Sequence, residues 1–354
     1  MLFEKPRREC RFVNVGGIQI GGNAPIAVQS MLNAPSGDFD ANIKQAKDLE
    51  EAGCHIIRLA VSSMVDVELI AKLKDEGVKA PLVADIHFDY KIALASIDAG
   101  VDKIRINPGY IGSRENVEKV VDVCKSKGLP IRIGVNSGSV EKHLVEKYNG
   151  PTPTAMALSA LEHSFILEDC GFKDIVISIK SSDVRNTIKA YRIVANECDY
   201  PLHLGVTEAG TSRMGLIKSS VGIGSLLADG IGDTIRVSLT ANPVEEIYAA
   251  YDLLQSLDLL PNEPQLISCP TCGRTQIDLI SIANEVEDRL RKVHKPIKVA
   301  VMGCPINGPG EAKNADIGIA GGKGCGLLFK KGEILRKVPE ESLIDELFME
   351  IERM

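Results

Sequence analysis

Two C-terminal segments concentrate soft metal ligands: Cys269-Pro270-Thr271-Cys272 and Cys304-Pro305-Ile306-Asn307-Gly308-Pro309-Gly310-Glu311. A C-x2-C turn lets two thiolates from one tight bend reach the same metal centre, and thiolates are the ligands of iron–sulfur clusters and of zinc. Cys304 would be a third thiolate, delivered by the fold. No second C-x2-C pair accompanies it, and the later Cys325 stands at what reads as the start of a buried strand. A structural zinc ribbon ordinarily takes four soft ligands from two such halves. Three thiolates with one place left over fit an iron–sulfur site better. Glu311 follows a rigid Gly-Pro-Gly turn and could fill that place with a hard, exchangeable carboxylate that a substrate oxygen displaces. Structural zinc on Cys269, Cys272 and Cys304 remains the alternative, and would leave a non-redox enzyme acting on a phosphorylated substrate.

A second set of residues sits in or just after short apolar runs upstream. Arg58, Arg105, Arg132, Lys180 and Arg236 are cations; Asp85, Asn107, Asn136, Thr207, Glu208 and Ser238 accompany them. One arginine in a strand is ordinarily solvated or salt-bridged. Five cations, four arginines and a lysine, at corresponding strand ends describe a rim whose collective burial is costly without a bound anion. Such a rim suits a small polyanion, most naturally a diphosphate, gripped bidentately by arginine forks while Lys180 acts as a point charge. A carboxylate facing a diphosphate is repelled unless it holds hydroxyls or moves protons, so Glu208 is a candidate general acid or base. Asp85 reads equally well as a partner of the neighbouring arginines. His87 shares its strand parity and is expected behind the substrate-contacting residues.

These positions require a repeating scaffold. Apolar or β-branched runs fall at 26–31, 55–61, 82–86, 103–106, 131–135, 174–179, 202–206 and 234–239. Amphipathic segments such as 41–52, 65–76, 114–126, 154–170 and 245–254 lie between them, many closed by glycine. Eight βα units imply parallel strands with crossover helices and a closed (β/α)8 TIM barrel, whose catalytic face lies at the C-terminal strand ends. A doubly wound sheet normally stops at fewer strands. A short hairpin around Gly16-Gly17 and Gly21-Gly22 precedes the barrel. The α/β architecture is expected as a substrate-binding barrel over 1–258, a linker at 256–264 marked by Pro261 and Pro264, and a smaller α+β domain over 264–354. In that domain the pattern predicts a helix over 276–293, strands at 297–302 and 316–320, a hairpin over 326–338 and a closing helix over 340–353.

The 354 residues are 44% hydrophobic and 25% charged, ordinary for a globular enzyme, and a net charge of −7 supplies no basic stripe for nucleic acid or anionic membrane. No apolar run approaches a membrane span, and Met1–Arg8 has no apolar signal core, so a cytoplasmic enzyme is expected. Of nine cysteines, Cys10, Cys54, Cys124, Cys170 and Cys198 are scattered singly and read as free thiols in a reducing compartment. Gly222-Ile223-Gly224 resembles a dinucleotide loop but follows no strand, and is read as helix-packing glycine. Nicotinamide is thus disfavoured, and the absence of a C-x3-C-x2-C spacing disfavours adenosylmethionine.

The C-P-x-C, C-x6-E and N-G-P-G-E elements in this order, together with the barrel, resemble the bacterial 4-hydroxy-3-methylbut-2-enyl diphosphate synthases over essentially the whole chain. The resemblance implies reductive ring opening of 2-C-methyl-D-erythritol 2,4-cyclodiphosphate in isoprenoid biosynthesis. It implies one [4Fe-4S] cluster per subunit on Cys269, Cys272, Cys304 and Glu311, and electrons from reduced flavodoxin or ferredoxin. The family's substrate contacts fall on Arg58, Arg105, Asn107, Arg132, Asn136, Lys180, Thr207, Arg236 and Ser238, with Glu208 as proton donor and Asn307 near the cluster-bound oxygen. It also implies a homodimer with the active site between subunits.

Overall fold

The computed structural model describes residues 6–354 except 108, 261, 294, 306–311 and 313. The chain forms two compact units, Met1–Leu257 and Asp258–Met354.

The first unit opens with the hairpin β1 (Phe12–Val15) and β2 (Ile18–Gly21). Its two-residue turn is Gly16-Gly17, both at positive φ (55° and 95°), the left-handed pair that a tight hairpin demands. Eight strands follow: β3 (Ala27–Met31), β4 (Ile56–Val61), β5 (Leu82–Ile86), β6 (Lys103–Ile106), β7 (Ile131–Asn136), β8 (Ile175–Lys180), β9 (His203–Gly205) and β10 (Thr234–Arg236). All pair in parallel in the order β8-β7-β6-β5-β4-β3-β10-β9. A parallel bridge from Ile177 to Leu202, with the Ile177 N–H donating to the Pro201 carbonyl at 3.0 Å, joins β8 to β9 and closes the barrel. The eight runs read from the sequence are these eight strands, although β9 and β10 stop short of the residues expected to end them. Thr207, Glu208 and Ser238 therefore stand on loops just beyond their strands.

Around the barrel lie α1 (Phe39–Glu51), α2 (Met64–Asp75), α3 (Tyr90–Asp98), α4 (Arg114–Lys127), α5 (Lys142–Lys147), α6 (Pro153–Asp169), α7 (Val184–Glu197), α8 (Ser212–Ala228) and α9 (Pro243–Ser256). Side chains start several of them: Asp38, Asp89, Asp183 and Asn242 each accept a backbone N–H from the first turn, and proline opens α6 and α9. Gly222-Ile223-Gly224 lies inside α8, where Gly222 faces Val206.

Strand periodicity divides the barrel residues into two faces. Ile57, Leu59, Ile104, Ile131 and Ile133 pack outward under the helices. The other face turns inward. At its N-terminal end the hairpin residues Val13, Val15 and Ile20 plug the barrel against Ala27, Ile56, Val83 and Val176. Above this apolar plug the same parity brings in Gln29, Arg58, Asp85, Ser178 and Lys180. Register adds the rest: Lys103 beside Val83, Arg105 between Asp85 and Arg132, Asn136 beside Lys180, and His203 beside Thr234.

The second unit is a five-stranded sheet ordered β11 (Gln265–Ser268), β12 (Lys298–Met302), β13 (Ile317–Gly322), β14 (Cys325–Lys330) and β15 (Glu333–Pro339). The first three strands are parallel and the last two antiparallel. Helices α10 (Leu279–Leu290) and α11 (Leu343–Glu352) supply Leu279, Ile282, Val286, Leu343, Leu347 and Ile351 to its core. The expected long helix begins only at Leu279 because Asp278 caps it, accepting the Ser281 N–H. The closing helix likewise starts after a 3-10 turn at Glu340–Ser342. Strand β11 carries only a short, half-buried apolar run, too weak a signal to have been read beforehand.

Candidate active site

Arg58 and Arg105 both pair with Asp85, Arg58 through Nη2 and Arg105 through Nη1 at 3.0 Å, and all three side chains are nearly sealed from solvent. Arg105 also donates from Nη2 to the Gly134 carbonyl at 3.0 Å. Only glycine permits this: a Cβ at position 134 would lie 2.1 Å from Arg105 Nε. Burial raises the Asp85 pKa, but Arg58 and Arg105 outweigh it and hold the carboxyl below the ordinary carboxylate range.

Arg132 is the largest side chain in the molecule with no exposure among the described residues, and none of its Nε, Nη1 and Nη2 atoms has a hydrogen-bond partner. Burial, then the charges of Arg58 and Arg105, strongly disfavour its cationic form. A guanidinium cannot escape by deprotonating, so this position stores an unmet electrostatic demand. Lys180 is under the same pressure, from burial first and then from Arg58, Arg132 and Arg236. Arg236 is different. It is ion-paired with Glu246 of α9 (Nε to Oε2, 3.2 Å), and Glu246 also accepts from Ser30 Oγ at 2.8 Å and from the Leu239 N–H at 3.1 Å. Arg236 is thus a neutralised cation, unlike Arg132.

A cavity of about 540 Å³ opens beside these groups, lined among others by His87, Arg105, Asn107, Asn136, Thr207 and Glu208. Arg58, Arg132, Lys180, Arg236 and Ser238 are not in its wall; Arg58 and Arg132 form a buried layer, while Lys180, Arg236 and Ser238 are half-buried. His87, expected behind the contacting residues, lines the cavity directly. Asn107 is buried, with Oδ1 accepting the Gly109 N–H at 3.1 Å and Nδ2 unpartnered. Asn136 ends β7 and caps the 3-10 turn at Ser137–Ser139. Glu208 is exposed and has φ of 51°, a left-handed conformation costly for a non-glycine residue and concentrated at functional positions. Sequence reading passed over Lys103, Gln29 and His203; Lys103 Nζ, both Gln29 amide atoms and His203 Nε2 are also buried without partners. It also passed over Phe88 and Tyr110 at the cavity mouth, set edge to face at 6.1 Å.

In the second unit, β11 and β12 run parallel and in register from Gln265 to Ser268, so their C-terminal ends emerge side by side. Cys269 follows one and Gly303-Cys304 the other. The Cys269 N–H donates to the Val301 carbonyl at 3.3 Å, and Cys269 Sγ accepts the Gly303 N–H at 3.2 Å. The Cys272 N–H donates to Thr275 Oγ1 at 3.1 Å, and the Gln276 N–H donates to the Gly303 carbonyl at 2.9 Å, tying the C-x2-C turn to the Cys304 strand end. Hydrogen bonds from the backbone and side chain of Arg274 lower the Cys272 pKa and favour its thiolate. Among the described residues no three His, Cys, Asp or Glu side chains stand close enough to share one metal ion. A cluster differs from a single ion in that each thiolate binds its own iron. The parallel strand ends, the N–H donated to sulfur and the favoured thiolate therefore fit a cluster. Asn307 and Glu311 lie outside the described residues, as does Pro261.

The remaining cysteines are free thiols, and burial raises Cys54 and Cys124 to about 12 and Cys10 to about 11, which makes them inert. Among the described residues no helix is long and apolar enough to cross a membrane.

Residues 10–251 match the GcpE TIM-barrel domain and residues 265–353 the GcpE protein C-terminal domain. A protein of Clostridium perfringens named 4-hydroxy-3-methylbut-2-en-1-yl diphosphate synthase (flavodoxin) is 58% identical over 98% of this chain and 99% of its own. One of the same name from Shouchella clausii is 57% identical over 98% of this chain and 95% of its own. Among solved structures, the 7,8-dihydropteroate synthase of Vibrio fischeri superposes with a TM-score of 0.51 at 11% identity, covering 70% of this chain and 98% of that one. The Plasmodium falciparum HPPK-DHPS gives 0.52 at 15%, covering 70% and 50%. At such identities these two show a shared barrel fold and nothing further. Both GcpE domains occur in order, and relatives this similar run from end to end; the chain belongs to the GcpE family, whose curated relatives are the flavodoxin-named 4-hydroxy-3-methylbut-2-en-1-yl diphosphate synthases.

Proposed function

We propose that this chain reductively opens 2-C-methyl-D-erythritol 2,4-cyclodiphosphate, with loss of water, to give (E)-4-hydroxy-3-methylbut-2-enyl diphosphate. The observation that carries this reading is Arg132, a permanent cation sealed in the barrel with none of its donors satisfied. Such a site is stable only as a trade against function, and a diphosphate supplies the missing acceptors and charge.

In this reading Arg58, Arg105, Arg132 and Lys180 hold the diphosphate, and Asn107, Asn136, Thr207 and Ser238 orient it through neutral hydrogen bonds. Arg236 contributes while remaining tied to Glu246. Asp85 keeps two arginine forks in place before the ligand arrives. The departing hydroxyl needs a proton to leave as water, and Glu208, at the cavity wall in its strained backbone conformation, donates it. Cys269, Cys272 and Cys304, with Glu311, would hold one [4Fe-4S] cluster per subunit. When bound it supplies electrons singly and a Lewis-acidic iron. The donor is reduced flavodoxin or ferredoxin. The enzyme works as a cytoplasmic homodimer with its active site between subunits, and a strictly monomeric active enzyme in sedimentation would overturn that part.

Anaerobic purification with a visible spectrum and iron, sulfide and zinc analysis tests the reading, followed by turnover of the cyclodiphosphate with a chemical reductant. A brown, dithionite-bleached protein that opens the ring supports it. A colourless protein with stoichiometric zinc would sink the redox mechanism.

A further inference from the structure

Lys103 opens β6 with its side chain inside the barrel, above the apolar plug, and has no exposure. Its Nζ has no hydrogen-bond partner. Arg132 on β7 and Arg58 on β4 act on it with like charge, and burial disfavours its cationic form still more. Around the same layer, β5 contributes Asp85, already shared between Arg58 and Arg105 of β6; β8 contributes Lys180; β9 contributes His203, whose Nδ1 lies 3.4 Å from Thr234 Oγ1 and whose Nε2 is unpartnered. From β10 Arg236 is matched by Glu246, and from β3 Gln29 adds a neutral amide. Three arginines thus face a single carboxylate, which Arg58 and Arg105 share and Arg132 does not reach, before any lysine is charged.

Arginine must carry its charge, whereas lysine can surrender it when buried. We propose that Lys103 is the proton-accepting member of this layer: it is neutral in the ligand-free barrel and becomes an ammonium when the diphosphate enters, so that substrate binding takes up a proton. The role deepens the proposed function and rests on it. The substrate's negative charge reverses the local balance, and the proton moves from solvent buffer to the Lys103 amine without any bond to substrate being made or broken. The layer can then fold without a further uncompensated charge and still present that charge to the bound anion.

Isothermal titration of the cluster-loaded protein with the cyclodiphosphate, repeated in buffers of different ionisation enthalpy, counts the protons exchanged. Wild type is expected to take up close to one proton more than Lys103→Met, while His203→Gln retains the wild-type uptake. Equal uptake by wild type and Lys103→Met, or no uptake by wild type, overturns the proposal. If Lys103→Met does not fold, nitrogen-15 spectra of wild-type lysine side chains decide. A neutral amine in the free protein that is also present in ligand-free Lys180→Met, and that becomes ammonium when wild type binds, supports it; lysines all charged before binding overturn it. Wild type that fails to bind the cyclodiphosphate at all would sink the proposed function and this inference with it.

Discussion

The two units solve the problem of holding a reactive site in opposite ways. In the barrel the cations are on strands of a closed sheet, at positions fixed by register, and their mismatch of charge is built in whether or not a ligand is present. In the second unit the thiols of the proposed cluster site stand just after two parallel strands, above an ordinary apolar core, with Cys272 exposed and Cys304 buried. The barrel is preorganised and carries that electrostatic burden as lost folding stability. The thiol site, on the proposed reading, gains its final geometry from the cluster it would bind. One site should therefore become more stable when its functional residues are removed, the other less.

The most damaging change is expected at the thiols. Cys304→Ser should lose iron and activity together, measured by iron and sulfide content and by turnover; a variant retaining full iron would remove Cys304 from the ligand set. Glu311→Ala should stay brown yet nearly inactive. Glu208→Gln should lower kcat by about 1,000-fold, within the range for loss of a general acid, with KM little changed. If KM alone rises, Glu208 binds rather than donates.

Arg132→Met sharpens the contrast most directly. Substrate affinity should fall about 100-fold, roughly 3 kcal/mol for a charged hydrogen-bonding partner, while the melting temperature of the ligand-free protein holds or rises because an unmatched buried cation is gone. A lowered melting temperature would show that Arg132 already has a partner in the empty barrel. Gly134→Ala should displace Arg105 and weaken binding by about tenfold, an effect of one lost contact, with normal cluster content.

The smallest effect concerns pH. The folded pKa of Asp85 is depressed, so the stability it contributes is fully present above the unfolded carboxylate value of about 3.9 and fades as pH falls through its lower folded value. Asp85→Asn should therefore melt below wild type near neutrality, and the difference should shrink only in acid below about pH 4. A gap that closes already near pH 6 would point to a histidine instead.

Periodicity and composition alone determined the eight βα units, because parallel strands buried on both faces must be apolar nearly throughout and their helices must be amphipathic. The C-x2-C spacing determined that Cys269 and Cys272 share one turn, since spacing within a turn is local. Tertiary structure alone decided which cations were free. Arg132 and Arg236 look alike as arginines in strands, yet Glu246, ten residues beyond Arg236 on α9, pairs with one while nothing described pairs with the other. It also decided that Lys103, indistinguishable in sequence from a lysine at a strand's solvent edge, turns inward above the plug. Charge matching and burial depend on which strands become neighbours when the sheet closes, and no local pattern encodes that.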